Sequence, residues 1–180
     1  MITAEQKAHW ETFGFLMLRQ LFAPDEVKEL RQAIIEVMNQ TAGEDAATSG
    51  SGYGMGAFLE RHPVLTDWLV DDRIYEIMET LLGPDFFLMH TAGAVYRGDT
   101  PWHGPVPKEG VPRHVKIAFY PEPLTRYTGC LRVVPGSHLA GPADLLAPLR
   151  DRNGDPDFRP FGVAPSDIPS FAIESRPGDV

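Results

Sequence analysis

One stretch, residues 95–138, constrains this chain more than any other. It begins V-Y-R-G-D-T-P-W-H-G-P-V-P and continues, after a short loop, H-V-K-I-A-F-Y-P-E-P-L-T-R-Y-T-G-C-L-R-V-V-P-G-S-H. Two short apolar runs, residues 115–120 and 130–134, are separated by a Pro/Thr/Gly turn. That pattern predicts two adjacent strands of a β-sandwich or barrel with a polar site at one mouth. His103 follows a Gly-Asp-Thr-Pro turn, where a metal ligand can sit at a strand start.

Composition narrows the function classes. A chain of 180 residues is one ordinary domain, long enough to bury a core. Its net charge of -9 argues against nucleic acid as a partner, which asks for a basic patch. The single cysteine, Cys130, excludes an internal disulfide and fits a reducing compartment; its strand context reads as a small buried hydrophobe rather than a nucleophile. No apolar run approaches a membrane span, and the N-terminal M-I-T-A-E-Q-K lacks the regions of a signal peptide. The cytoplasm is the expected location.

Thr3 and Gln6 have capping-box spacing for a short first helix. Residues 13–18 form a compact apolar run that reads as a strand. Helix signals return at Ala23-Pro24-Asp25-Glu26, after which Val27, Leu30, Ile34, Val37 and Met38 recur at the spacing of one buried face. Residues 41–56 are rich in Gly and Ser and read as a loop; their glycines follow a helix rather than a strand, which rules out a phosphate-binding loop. Helices are predicted over 63–69 and 72–82, the second ending at Gly83. Strands are predicted over 86–90, 94–96 and 170–174. Between the last two lies a Pro/Asp/Gly-rich connection, residues 139–169, with a helix at 142–149 and the length of a functional lid. Helices first and short strands after give an α+β class: a mainly helical part, residues 1–84, packed on a β-sandwich core, residues 85–180.

Three segments carry a resemblance to a known family. They are G-F-L-M-L-R-Q-L-F-A-P-D-E-V-K-E-L-R, then G-D-T-P-W-H, then Y-P-E-P-L-T-R-Y-T-G-C-L-R-V-V-P-G-S-H, the last being the most specific. Together they resemble the phytanoyl-CoA dioxygenase family of iron(II)/2-oxoglutarate oxygenases. The resemblance implies a double-stranded β-helix of the jelly-roll or cupin-like kind, with helices on its sheet. It also implies Fe(II), 2-oxoglutarate as cosubstrate, O2 and a small organic or acyl-type substrate. In such sites two histidines and a carboxylate hold iron on one face of an octahedron, leaving three positions for cosubstrate and O2. The first two ligands come as His-x-Asp, since side chains two apart on an extended segment face the same way.

His103 matches the first ligand, but Gly104 is followed by Pro105 where the carboxylate belongs, and proline cannot coordinate iron. The chain closes on P-G-D-V, the turn that in the family introduces the strand bearing the second histidine and an arginine. The resemblance therefore implies a jelly roll without its last strands and an open sheet edge near Val180. Asp99, Glu109 and His114 lie in the neighbouring loop without the two-residue spacing, and His138 reads as part of the structural signature rather than a ligand. His9 and His62 read as surface or helix-packing residues; His90 and Met89 lie on a predicted strand, either lining the cavity or packed in the core. Lys116 is a candidate cosubstrate contact if Val115 and Ile117 face away from the barrel interior, and otherwise an exposed edge-strand lysine. Tyr96 has the same standing, and Trp102 either walls the site or simply packs.

Three readings follow. The first is a hydroxylase, with catalysis residing in this chain or a fuller parent. The second is a halogenase-type relative, which needs a small residue where Pro105 stands. The third is a non-catalytic binding or scaffold module. Substrate identity and oligomeric state are not legible in the sequence.

Overall fold

The fold is described here from a computed structural model, over residues 2–41, 53–96, 100, 102–103, 114–139 and 159–180. Helix α1 spans Ala4–Phe13 and opens on the expected box. Thr3 Oγ1 accepts from the Gln6 amide at 3.2 Å, and the Gln6 side chain accepts from the Thr3 amide at 2.8 Å. Two donors that the first turn would otherwise leave unpaired are thereby satisfied. Gly14, at φ 79°, stops the helix, so the apolar run after it is not a strand continuing from Phe13. Leu18 exchanges both backbone hydrogen bonds with Val180, and the Phe13 carbonyl accepts from the Gly136 amide at 2.9 Å.

Helix α2, Pro24–Thr41, starts with Glu26 reaching back to the Ala23 amide at 2.7 Å. Its buried stripe is Val27, Leu30, Ala33 and Val37, flanked by Ile34 and Met38. Helix α3, Pro63–Leu69, is capped by the His62 ring, whose Nδ1 accepts from the Val64 amide. Helix α4, Asp72–Leu82, is capped by Asp71 and buries Ile74, Ile77 and Leu81.

These helices make one layer. Leu30, Ala33, Val37, Phe58 and Leu65 form one core cluster; Phe22, Val27 and Ile74 form a second; Trp10, Ile77 and Leu81 form a third. Residues 115–119 lie across all three. Val115 packs on the third cluster, Ile117 on the second, and Phe119 on the first and second. Phe119 also meets the Phe22 and Trp68 rings at 6.4 Å and 5.5 Å.

The β structure departs from expectation in its pairing. Strand β1, Tyr53–Gly56, lies inside the stretch read as a loop, and pairs antiparallel with β2, Ala92–Val95. Strand β3, Leu131–Val133, pairs antiparallel with β4, Phe171–Ile173, not with residues 115–120. Residues 115–120 form no strand, though they keep the alternation of one. Residues 86–90 form none either, and all but Phe86 are exposed. Among the described residues the sheets are two separate ribbons of two strands each, small and open, in a mixed helix-and-sheet fold. Among the described residues a closed jelly roll is not seen. The edge at Val180 is paired on one side, by Leu18. The helix expected at 142–149 and most of the loop 41–56 lie outside the described residues.

The turn before Val180 joins the chain's two ends closely. Gly178, at φ +96°, comes so close to the chain that an added Cβ would meet the Phe22 carbonyl at 2.6 Å. The Asp179 carboxylate is buried behind it. It accepts from the amides of Gln20 and Arg176 (both 2.9 Å), from the Gln20 side chain (3.0 Å) and from Arg19 Nη1 (2.6 Å). Burial pushes this carboxyl up, but the donors outweigh it and hold its pKa at about 2. They also fix Gln20 at φ 50°, a left-handed conformation unusual for a side chain of this kind.

Candidate functional site

Alternation decides which side of residues 115–120 is available for chemistry. Val115, Ile117 and Phe119 turn toward the helical layer. Residues one apart on an extended segment face opposite ways, so Lys116, Ala118 and Tyr120 share the face turned from the helices. Lys116 is exposed there.

Tyr120 joins this face to other segments. Burial pushes its phenol up, with the Tyr96 phenol and the Cys130 thiol, both near enough to interact, adding to the effect. A neutral phenol is the form such a setting favours. Tyr96, just past β2, is itself exposed. Cys130, at the start of β3, is buried as expected, and burial raises its thiol, the environment of an inert packing cysteine. Sequence reasoning passed over Tyr120; its shared parity with Lys116, four residues earlier, is the signal that marks it.

His103 lies exposed beside Trp102, and Trp102 fixes where that pair sits. The indole Nε1 donates to the Pro165 carbonyl at 2.9 Å, and the Arg132 guanidinium lies over the indole, 5.7 Å from its ring. Arg132, on β3, also donates to the carbonyls of Ser166 and Ile168 at 3.3 Å and 3.5 Å. Trp102 therefore holds two segments together, which is more than simple packing. Met89 lies apart from any strand and is exposed, as is His90, so neither is a core residue.

Three other histidines, His138, His9 and His62, are engaged with backbone or helix ends, while His114 is exposed just before Val115. His138 Nε2 pairs with the Glu11 carbonyl at 2.9 Å, and its ring lies where a Cβ on Gly14 would fall. His9 Nδ1 pairs with the Phe15 carbonyl, and His62 caps α3 while its Nε2 lies 3.3 Å from Glu36. Asp99, Gly104, Pro105 and Glu109 lie outside the described residues. Among the described residues no three His, Cys, Asp or Glu side chains converge as a metal site would require. Among the described residues the two histidines and carboxylate of such an iron site are therefore not brought together.

Comparison with known proteins gives this arrangement a context. The family model for phytanoyl-CoA dioxygenase (PhyH) matches residues 10–167. An ectoine dioxygenase from Sphingopyxis alaskensis is 26% identical over 154 residues, covering 76% of this chain and 50% of that protein. The chain thus spans half the length of that curated relative. The crystal structure of SnoK, a non-heme alpha ketoglutarate dependent carbocyclase from nogalamycin biosynthesis, superposes with a TM-score of 0.67. That match has 19% identity, over 99% of this chain and 72% of SnoK, and shows a shared fold.

Proposed function

This chain belongs to the phytanoyl-CoA dioxygenase family, and from that premise we propose that it is an iron(II)- and 2-oxoglutarate-dependent oxygenase. Its proposed reaction is the hydroxylation of a small organic or acyl-type substrate with O2, on a double-stranded β-helix. In this reading His103 is an iron donor, and Lys116 and Tyr96, with Met89, are the contacts for 2-oxoglutarate. Bound iron with 2-oxoglutarate supplies the oxygen activation; the chain's own residues bind and orient. The observation that carries the reading is the face bearing Lys116 and Tyr120, turned away from the helical layer. An ammonium on such a face suits a dicarboxylate, and the neutral Tyr120 phenol beside Tyr96 offers a hydrogen-bond donor without a competing negative charge. Among the described residues no helix is long and apolar enough to cross a membrane. The lone buried thiol suits a reducing compartment, the cytoplasm.

A second reading has a specific observation behind it. Pro105 replaces the carboxylate donor of the family pattern, as expected of a member that keeps the fold as a binding module without catalysis. Anaerobic titration with Fe(II) and 2-oxoglutarate, followed by the visible charge-transfer band of the chelate, separates the two. The oxygenase reading expects a band in the native chain that His103→Ala abolishes. No band in either the native chain or Pro105→Asp would sink the oxygenase reading for these 180 residues.

A further inference from the structure

The contacts of Trp102 and Arg132 have a consequence for the residue beside them. We propose that Trp102 and Arg132 are positioning residues, which hold His103 at its place by tying its segment to residues 165–168. Three features support this. First, the tether has a firm base: Pro165–Asp167 is a turn of 3₁₀ helix, and Ile168, next to it, is 3% exposed. Second, the indole makes a directed bond, Nε1 to the Pro165 carbonyl at 2.9 Å, rather than apolar contact alone. An indole N–H has one direction to donate in, so this bond fixes the ring as well as its position. Third, Arg132 is held by β3, which β4 pairs residue for residue, and it reaches both partners at once. Its guanidinium lies over the Trp102 ring at 5.7 Å and donates to Ser166 and Ile168. A planar cation with several donors can stack and bridge two carbonyls in one geometry, whereas an ammonium cannot.

The backbone at His103 is thus fixed through its immediate neighbour, from a platform 63 residues away in sequence. Donor groups in a site work only when their placement is fixed by the residues around them. The importance of the tether rests on the reading of His103 as an iron donor, but the tether itself does not.

The test uses the full chain without metal, labelled with ¹³C and ¹⁵N in its histidine rings. In Trp102→Phe, which keeps one aromatic ring but removes the N–H with the pyrrole part of the indole, the His103 ring signals should move toward their unfolded positions. Those of His9 and His62 should stay where they are. Amide exchange at 102–103 and at 166–168 should quicken together by about tenfold, the factor to which the net worth of one hydrogen bond corresponds. Arg132→Ala should do the same, and Arg132→Lys should recover part of the native pattern. Unchanged His103 signals and exchange in a folded Trp102→Phe protein overturn the proposal. Should that variant lose the native His9 and His62 signals as well, Arg132→Ala decides by the same criterion. Fe(II) titration of His103→Ala tests the underlying reading separately. Unaltered iron affinity there removes the iron role and leaves the tether standing on the ring signals.

Discussion

Replacing Asp179 by asparagine tests whether one buried carboxylate joins the two ends of this fold. The variant keeps the size of the side chain but puts an amide NH2 where donors already converge from Gln20, Arg176 and Arg19. The carboxyl titrates at about 2 in the folded chain, against roughly 3.9 in an unstructured one. A difference of nearly two units corresponds to about 2–3 kcal/mol favouring the folded state at neutral pH. The Arg19 pair adds little of this, since the Arg19 side chain is 59% exposed and screened by solvent. The amides of Gln20 and Arg176 carry most of it. Because the folded value is depressed, the contribution is fully present above the unfolded pKa and fades as pH falls through about 4 toward 2. Urea denaturation at pH 7, 5 and 3, followed by tryptophan fluorescence, should therefore show Asp179→Asn less stable by about 2–3 kcal/mol at pH 7. The gap should narrow at pH 3. A gap that is absent at pH 7, or the same at every pH, would refute the carboxylate's role as the joint.

Two further outcomes follow from the packing. Gly93 on β2 lies beneath the Phe58 ring, with space for no Cβ (2.4 Å to the nearest ring carbon). Gly93→Ala should thus lower stability by about 1–3 kcal/mol through overpacking, read as a lower midpoint of thermal unfolding; an unchanged midpoint would show that the β1–β2 ribbon gives way freely. The Cys130 thiol, buried and raised in pKa, should react with a disulfide reagent at pH 8 far more slowly in the native chain than in urea. Equal rates would mean that the start of β3 opens readily.

The helices were legible because their signals are local. The Thr3–Gln6 box, the proline and acids opening α2, and the spacing of Val27, Leu30 and Val37 each lie within a few residues of what they determine. Strand pairing has no such local record. Residues 53–56, Y-G-M-G, are half glycine and lack a strand's alternating apolar pattern, yet they pair with β2, where Gly93 leaves room for the Phe58 ring. Conversely, Phe87, Leu88 and Met89 have the composition of a buried strand and are 69%, 55% and 62% exposed. Hydrophobicity reports that a segment gains from being covered; it does not say that anything in the described residues covers it. The candidate site divides along the same line. The parity that turns Lys116 away from the helices could be read from three consecutive residues, and the structure keeps it although no strand forms there. The tether on Trp102 could not, because it joins an indole to a carbonyl 63 residues further along the chain, and no period or motif relates the two. For this chain the sequence therefore says which side chains share a face, while the partners that hold His103 in place are set by strand pairing between distant segments.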